Sequence, residues 1–315
     1  MSTCDGLYMT EQIPCSGLVR FLTPRGATAI ITSAIPNRKA MAMDFTEKLS
    51  AASQGNQSLL CIGLDPDPEL MPKLDVFQFN REIIDATSDL VCAYKPNLAF
   101  YEALGIEGLR ALERTIAHIP REIPVIGDAK RGDIASSSKA YAKALFDTFG
   151  FDAATVNPYL GHDSVAPFID YSDKGVFILC KTSNAGATDF QELLCVEHGA
   201  SAGSLPLYEL VALKAKEWNR HGNIGLVVGA TYPQHVKRVR ELCPDIPLLI
   251  PGIGAQAGDL EAAVRYGVAD KGAKAIVSCS RQILYASREK DFAMAARRET
   301  LELRELINKH LAAGQ

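Results

Sequence analysis

Absences narrow the field first. No apolar run in the chain approaches the roughly 18 residues a bilayer span needs, so a membrane protein is not expected. A basic excess is missing as well. With a net charge of -4, the chain does not present a general nucleic-acid surface, and an anionic ligand would have to be held by a few placed cations. The eight cysteines contain no CxxC pair, and four of them (Cys61, Cys92, Cys180, Cys279) lie inside apolar runs. They read as reduced, buried thiols of a cytoplasmic protein rather than a disulfide framework. No HxH or HxxxH pair supports a zinc site.

What remains is an ordinary globular composition, 47% hydrophobic and 22% charged over 315 residues. Residues 1–42 lack sustained periodicity and carry turn formers such as Pro24 and Pro36. They read as a disordered N-terminal extension or over-extended start, with a targeting segment as the alternative, because acids are few and Ser, Thr and Arg recur. The clean pattern begins near Met43 with a helix through Ser50, and residues 43–315 read as one domain.

From there one cadence repeats. Short apolar runs occur at Leu59–Leu64, Leu90–Tyr94, Pro124–Gly127, Ala153–Val156, Gly175–Cys180, Ile224–Val228, Ile246–Ile250 and Ala273–Val277. Amphipathic stretches lie between them, among them Ile106–Ile119, Ala135–Phe149, Leu205–Asn219 and Asp259–Tyr266. Strands apolar on both faces are buried parallel strands, and eight such units predict a closed (β/α)8 barrel. An open doubly wound sheet is disfavoured, because no Gly-rich dinucleotide fingerprint follows the first strand. The longest gap, after the fifth strand, predicts a lid.

In this fold, chemistry sits where strands hand over to loops. Those positions carry Asp65, Lys95 and Asn97, Asp128 and Lys130, Asn157, Lys181 to Asn184, Gly252 to Gln256, and Arg281. Alternation along a strand points Asp128 and Lys130 into the same space. Asp133 follows at the mouth of the next helix, where it also fits an N-cap. Lys130, flanked by carboxylates, is expected to stay protonated, which makes it a general acid and a poor Schiff-base nucleophile. On the opposite wall, Gly252 and Gly254 let backbone N–H groups approach an anion. Arg281 supplies a donor fork for phosphate, and Gln256 a neutral donor.

The ordered set Asp65, Lys95-Pro-Asn97, Asp128-x-Lys130-x-x-Asp133, Thr182-Ser183-Asn184, Pro251 to Gln256 and Arg281 resembles the orotidine 5'-phosphate decarboxylase family over about residues 43–310. The Asn157–Ser164 segment is similar to its longer bacterial-type branch. The resemblance implies decarboxylation of orotidine 5'-phosphate to UMP without metal or organic cofactor. It implies that Asp65 and Lys95 hold ribose hydroxyls, that Asp128 faces the scissile carboxylate, and that Lys130 protonates C6. Thr182 and Ser183 would bind the substrate, with Ser183 reading the pyrimidine edge, while Gln256 and Arg281 grip the phosphate. Asp133, with Ser137, would cross into the neighbouring site of a homodimer. Metal-dependent relatives on the same barrel carry a glutamate at the position of Lys95, and that lysine would repel the metal. A non-catalytic nucleotide-binding barrel is the remaining alternative. Ala185 departs from the proline common at that lid position.

Overall fold

The computed structural model describes residues 43–196, 203–253, 259–268 and 274–313. The expectation about residues 1–42 lies outside them. The described residues belong to one compact unit, Met43–Gln315.

The chain opens with α1 (Phe45–Gly55), β1 (Leu60–Leu64), α2 (Val76–Thr87), β2 (Ala93–Pro96), α3 (Leu98–Glu102) and α4 (Gly105–His118). It continues with β3 (Ile126–Arg131), α5 (Ala135–Lys143), β4 (Ala153–Val156), α6 (His162–Ile169) and β5 (Gly175–Lys181). A short antiparallel hairpin, β6 (Leu194–Cys195) with β7 (Leu205–Pro206), interrupts the cadence before α7 (Leu207–Trp218). Then come β8 (Ile224–Val228), α8 (Pro233–Leu242), β9 (Leu248–Pro251), α9 (Leu260–Gly267), β10 (Ala275–Cys279), α10 (Arg281–Leu284) and α11 (Phe292–Ala313).

Eight strands pair in parallel in the order β2-β1-β10-β9-β8-β5-β4-β3. The two ends of that series meet through the bridges Tyr94–Val125 and Asn97–Asp128, which close the expected (β/α)8 TIM barrel. The apolar runs are explained by two cores. Cys61, Ala93, Ile126, Ala153 and Ile276 point inward around Phe177, while their strand neighbours pack against the helices. From α1, Phe45 and Leu49 plug the floor, with the Phe45 ring edge-on to Phe177 at 5.7 Å. Asp44 fixes the start of that helix through a reciprocal capping box with Glu47. Inward parity continued one step up the strands brings Gly63, Lys95, Asp128, Thr155 and Ser278 to the mouth.

Several boundaries differ from the sequence expectation. The second strand starts at Ala93 because Ser88–Leu90 form a 3-10 turn. The third strand runs on to Arg131, so Asp128 and Lys130 lie within it and not in the loop beyond. The helix from Ala135 changes to a π-turn at Ala144–Thr148. No helix among the described residues is long and apolar enough to cross a membrane.

Candidate active site

The inward layer at the mouth gathers charge. Lys95 on β2 donates from Nζ to Oδ2 of Asp128 at 2.8 Å, and Lys130 donates from Nζ to Oδ1 at 2.5 Å. Lys95 and Asp128 are buried, whereas the Lys130 side chain is 49% exposed toward the mouth. Burial opposes ionisation of Asp128, but the two ammonium groups outweigh it and hold its carboxyl well below the usual range. Burial likewise opposes the charge on Lys95, and Asp128 and Asp65 reverse that effect and raise its pKa.

Lys130 does not meet Asp128 through simple strand alternation. Its φ is +47°, in the left-handed region, and the β3–β4 register shifts between Gly127 and Arg131. Such a backbone is uncommon outside glycine and costs of order 1–3 kcal/mol, a form of strain that clusters at functional sites.

Asp65 leaves β1 beside this array. Its Oδ2 accepts from the Ser280 hydroxyl at 2.6 Å, and its Oδ1 is buried without a hydrogen-bond partner. A buried carboxylate oxygen with no donor is ready for a ligand hydroxyl. The Tyr285 hydroxyl fixes the same turn, donating to the Asp65 carbonyl at 2.7 Å and accepting from the Asp67 N–H at 2.7 Å. Gly63 permits the approach, since a Cβ there would lie 2.9 Å from the Ser280 Cβ.

The other wall holds Gly252, whose φ of +97° suits glycine alone, and Arg281. Arg281 is exposed and has no acidic partner among the described residues, so its fork is uncommitted. Gly254 and Gln256 lie outside the described residues.

At the fifth strand, the Thr182 hydroxyl donates to Asn184 at 2.6 Å, and Gln191 clasps Thr182 through both its amide atoms, at 2.8 and 2.7 Å. Ser183 backs onto Gly229, where a Cβ would stand 2.9 Å from its N–H nitrogen. The segment expected to form a lid contains a 3-10 turn at Ala185–Asp189 and the β6–β7 hairpin.

Asp133 is not the N-cap. Ile134 occupies that position, and the Asp133 carboxylate accepts only from the Ile134 N–H, at 2.7 Å. Ser137 is exposed and does not join the array of its own chain. Among the described residues Asp133 pairs with no cation, so it is uncommitted within its own subunit.

Thr155, Ser280 and Tyr285 received no role from the sequence. The available signal for Thr155 was a polar residue at inward parity in the otherwise apolar run Ala153–Val156. Ser280 and Tyr285 act on Asp65 from the far end of the chain, with no local signature.

Chemically, the arrangement offers an ammonium at the mouth, a carboxylate held charged behind it, a free acceptor on Asp65 and, at the end of β10, an exposed guanidinium with no acidic partner among the described residues.

The model of the orotidine 5'-phosphate decarboxylase / HUMPS family matches residues 58–296. A curated orotidine 5'-phosphate decarboxylase from Dehalococcoides mccartyi is 54% identical over 269 residues, covering 85% of this chain and 98% of the relative. Among solved structures, OMP decarboxylase of Leishmania donovani superposes with a TM-score of 0.74 at 40% identity, covering 85% of this chain and 99% of that one. UMP synthase of the same organism gives a TM-score of 0.74 at 41% identity, and there the chain covers 57% of the longer protein. With the Lys-Asp-Lys array at the barrel mouth, these matches show that the chain belongs to the orotidine 5'-phosphate decarboxylase / HUMPS family.

Proposed function

We infer that this chain decarboxylates orotidine 5'-phosphate to UMP and carbon dioxide in pyrimidine biosynthesis, with Lys130 as the proton donor to C6. One observation carries the assignment of roles. Asp128 takes Lys95 on one oxygen and Lys130 on the other, so an ammonium is fixed at the mouth before substrate arrives.

Loss of carbon dioxide from C6 leaves a carbanion with little resonance relief. A pre-placed ammonium in a partly dry site stabilises the developing charge without reorganising solvent. The same ammonium then delivers its proton to C6. Asp128, charged and immobile, faces the departing carboxylate. Asp65 receives a ribose hydroxyl on Oδ1, with Lys95 beside it. Arg281, Gln256 and the glycines from Gly252 hold the phosphate. Those remote contacts supply binding energy realised at the reacting carbon. Thr182 and Ser183 lie at the base end of the substrate.

The reaction proceeds without metal or organic cofactor. Lys95 occupies the Asp128 oxygen that a divalent ion would need, which supports this reading over the metal-dependent relatives.

The catalytic unit is residues 43–315, and it works as a homodimer with shared sites. The uncommitted Asp133 supports this, as do the exposed Ile134 on the β3–α5 connection, Tyr141 on α5, and Tyr159 and Leu160 on the β4–α6 connection. Asp133 and Ser137 would then serve the partner's site. The buried free thiols Cys61, Cys92, Cys180, Cys243 and Cys279 favour a reducing, cytoplasmic setting.

The test follows the fall in orotidylate absorbance in the presence of a chelator. Lys130→Ala should abolish turnover while UMP still binds. Near-normal turnover in that variant would sink the mechanism, and full dependence on added magnesium would revive the metal reading.

A further inference from the structure

Between β3 and β4 the ladder is broken. Ile126 pairs with Ala153, Gly127 with Ala154, and Arg131 with Val156. Asp128, Ala129 and Lys130 therefore stand opposite Thr155 alone. The N–H of Lys130 has no ladder carbonyl to meet, and the Thr155 hydroxyl takes that place. Thr155 Oγ1 accepts from the Lys130 N–H at 2.9 Å and donates to Oδ1 of Asp128 at 3.0 Å. A hydroxyl has one proton to give and two lone pairs, so both contacts are satisfied at once. The residue is 1% exposed, so neither contact is shared with bulk solvent.

Both partners of that hydroxyl need holding. Lys130 keeps a left-handed backbone, and its four-carbon stem is flexible, so the place of its Nζ depends on where its Cα is fixed and on what the Nζ meets. Asp128 Oδ1 is what the Nζ meets, and Thr155 orients that oxygen too. We propose that Thr155 is the positioning residue of the proton donor, setting the Lys130 backbone and the Asp128 carboxylate through one hydroxyl. This rests on the reading of Lys130 given above. It does not make Thr155 a catalytic residue, since its hydroxyl is spent on the protein.

Thr155→Val keeps shape and removes the hydroxyl. Expected is a fall in kcat of roughly 10- to 100-fold, the scale of a misplacement near 1 Å, with KM and UMP affinity within about twofold of wild type. Thr155→Ser, which restores the hydroxyl, should recover most of the lost turnover. A purely structural role would instead lower the melting temperature and leave kcat unchanged below it. An unimpaired kcat in Thr155→Val, or a loss confined to KM, overturns the proposal. Should the valine variant fail to fold, Thr155→Ala against Thr155→Ser makes the same comparison, and equal kcat values overturn it. Lys130→Ala is assayed alongside. Turnover surviving there defeats the Lys130 reading itself. A dead Lys130→Ala beside an intact Thr155→Val defeats only the positioning role.

Discussion

Ser280 reaches across 215 positions of sequence to donate its hydroxyl to Oδ2 of Asp65 at 2.6 Å, leaving the other carboxylate oxygen buried and open. The contact joins the ends of β1 and β10, neighbours only because the barrel closes. On the role proposed for Asp65, it fixes which oxygen meets the ribose. Ser280→Ala should therefore raise KM for orotidylate about tenfold, the usual worth of a hydrogen bond to a charged group, with a smaller change in kcat. Steady-state kinetics decides, and an unchanged KM would show that Asp65 needs no such guide.

Complementation tests the proposed sharing of sites between subunits. Asp133→Ala and Lys95→Ala proteins should each be inactive. Mixed under conditions of subunit exchange, they should approach about a quarter of wild-type activity, because half the dimers are hybrids with one intact site. Exchange verified by mass, with no recovered activity, would refute the crossing of Asp133.

Acid and base should loosen the array from opposite ends. The folded state lowers the pKa of Asp128 below its ordinary 3.8, so its stabilising contribution is complete above that pH and is lost as pH falls through the lower folded value. Lys95 is raised above 10.5, so its contribution is complete below that pH and disappears as pH rises through the higher folded value. Between these limits the contribution of the pair itself should be constant. Asp128→Asn, which leaves two cations facing each other, should cost about 3–5 kcal/mol at neutral pH. The gap between variant and wild type should narrow on strong acidification. A gap that stays constant into strong acid would contradict the assignment.

At the other end of the barrel, Arg240 donates to the carbonyls of Cys243, Pro244, Ile246, Gly267 and Lys274, at 2.6–3.1 Å. Burial pushes its pKa down to about 10, yet the carbonyls hold it in place. Arg240→Met should cost about 2–4 kcal/mol by orphaning several of them, with kcat unchanged below the lowered melting temperature. Calorimetry beside kinetics reads both, and a fall in kcat would tie this staple to the site.

The barrel was legible because its strands must be apolar on both faces, and runs such as Ala153–Val156 advertise that locally. The array was legible for a related reason. Charges such as Lys95 and Asp128, directly after apolar runs, have no place in a core and so announce a mouth. Asp133 shows the limit, since an acid before a helix fits an N-cap in sequence, while the fold gives that position to Ile134.

By itself, then, the sequence determined the repeating strand and helix periods, the barrel, and the identity of the charges at its rim. Tertiary structure alone decided how those charges are held. The left-handed turn at Lys130 replaces the alternation that predicted its direction, and its N–H finds Thr155 only because the β3–β4 register slips. Asp65 is oriented by Ser280 and Tyr285 from the far end of the chain. Periodicity is a local property of backbone geometry and can be read along a chain. A hydroxyl's choice of partners depends on register and closure, which exist only once the strands have met.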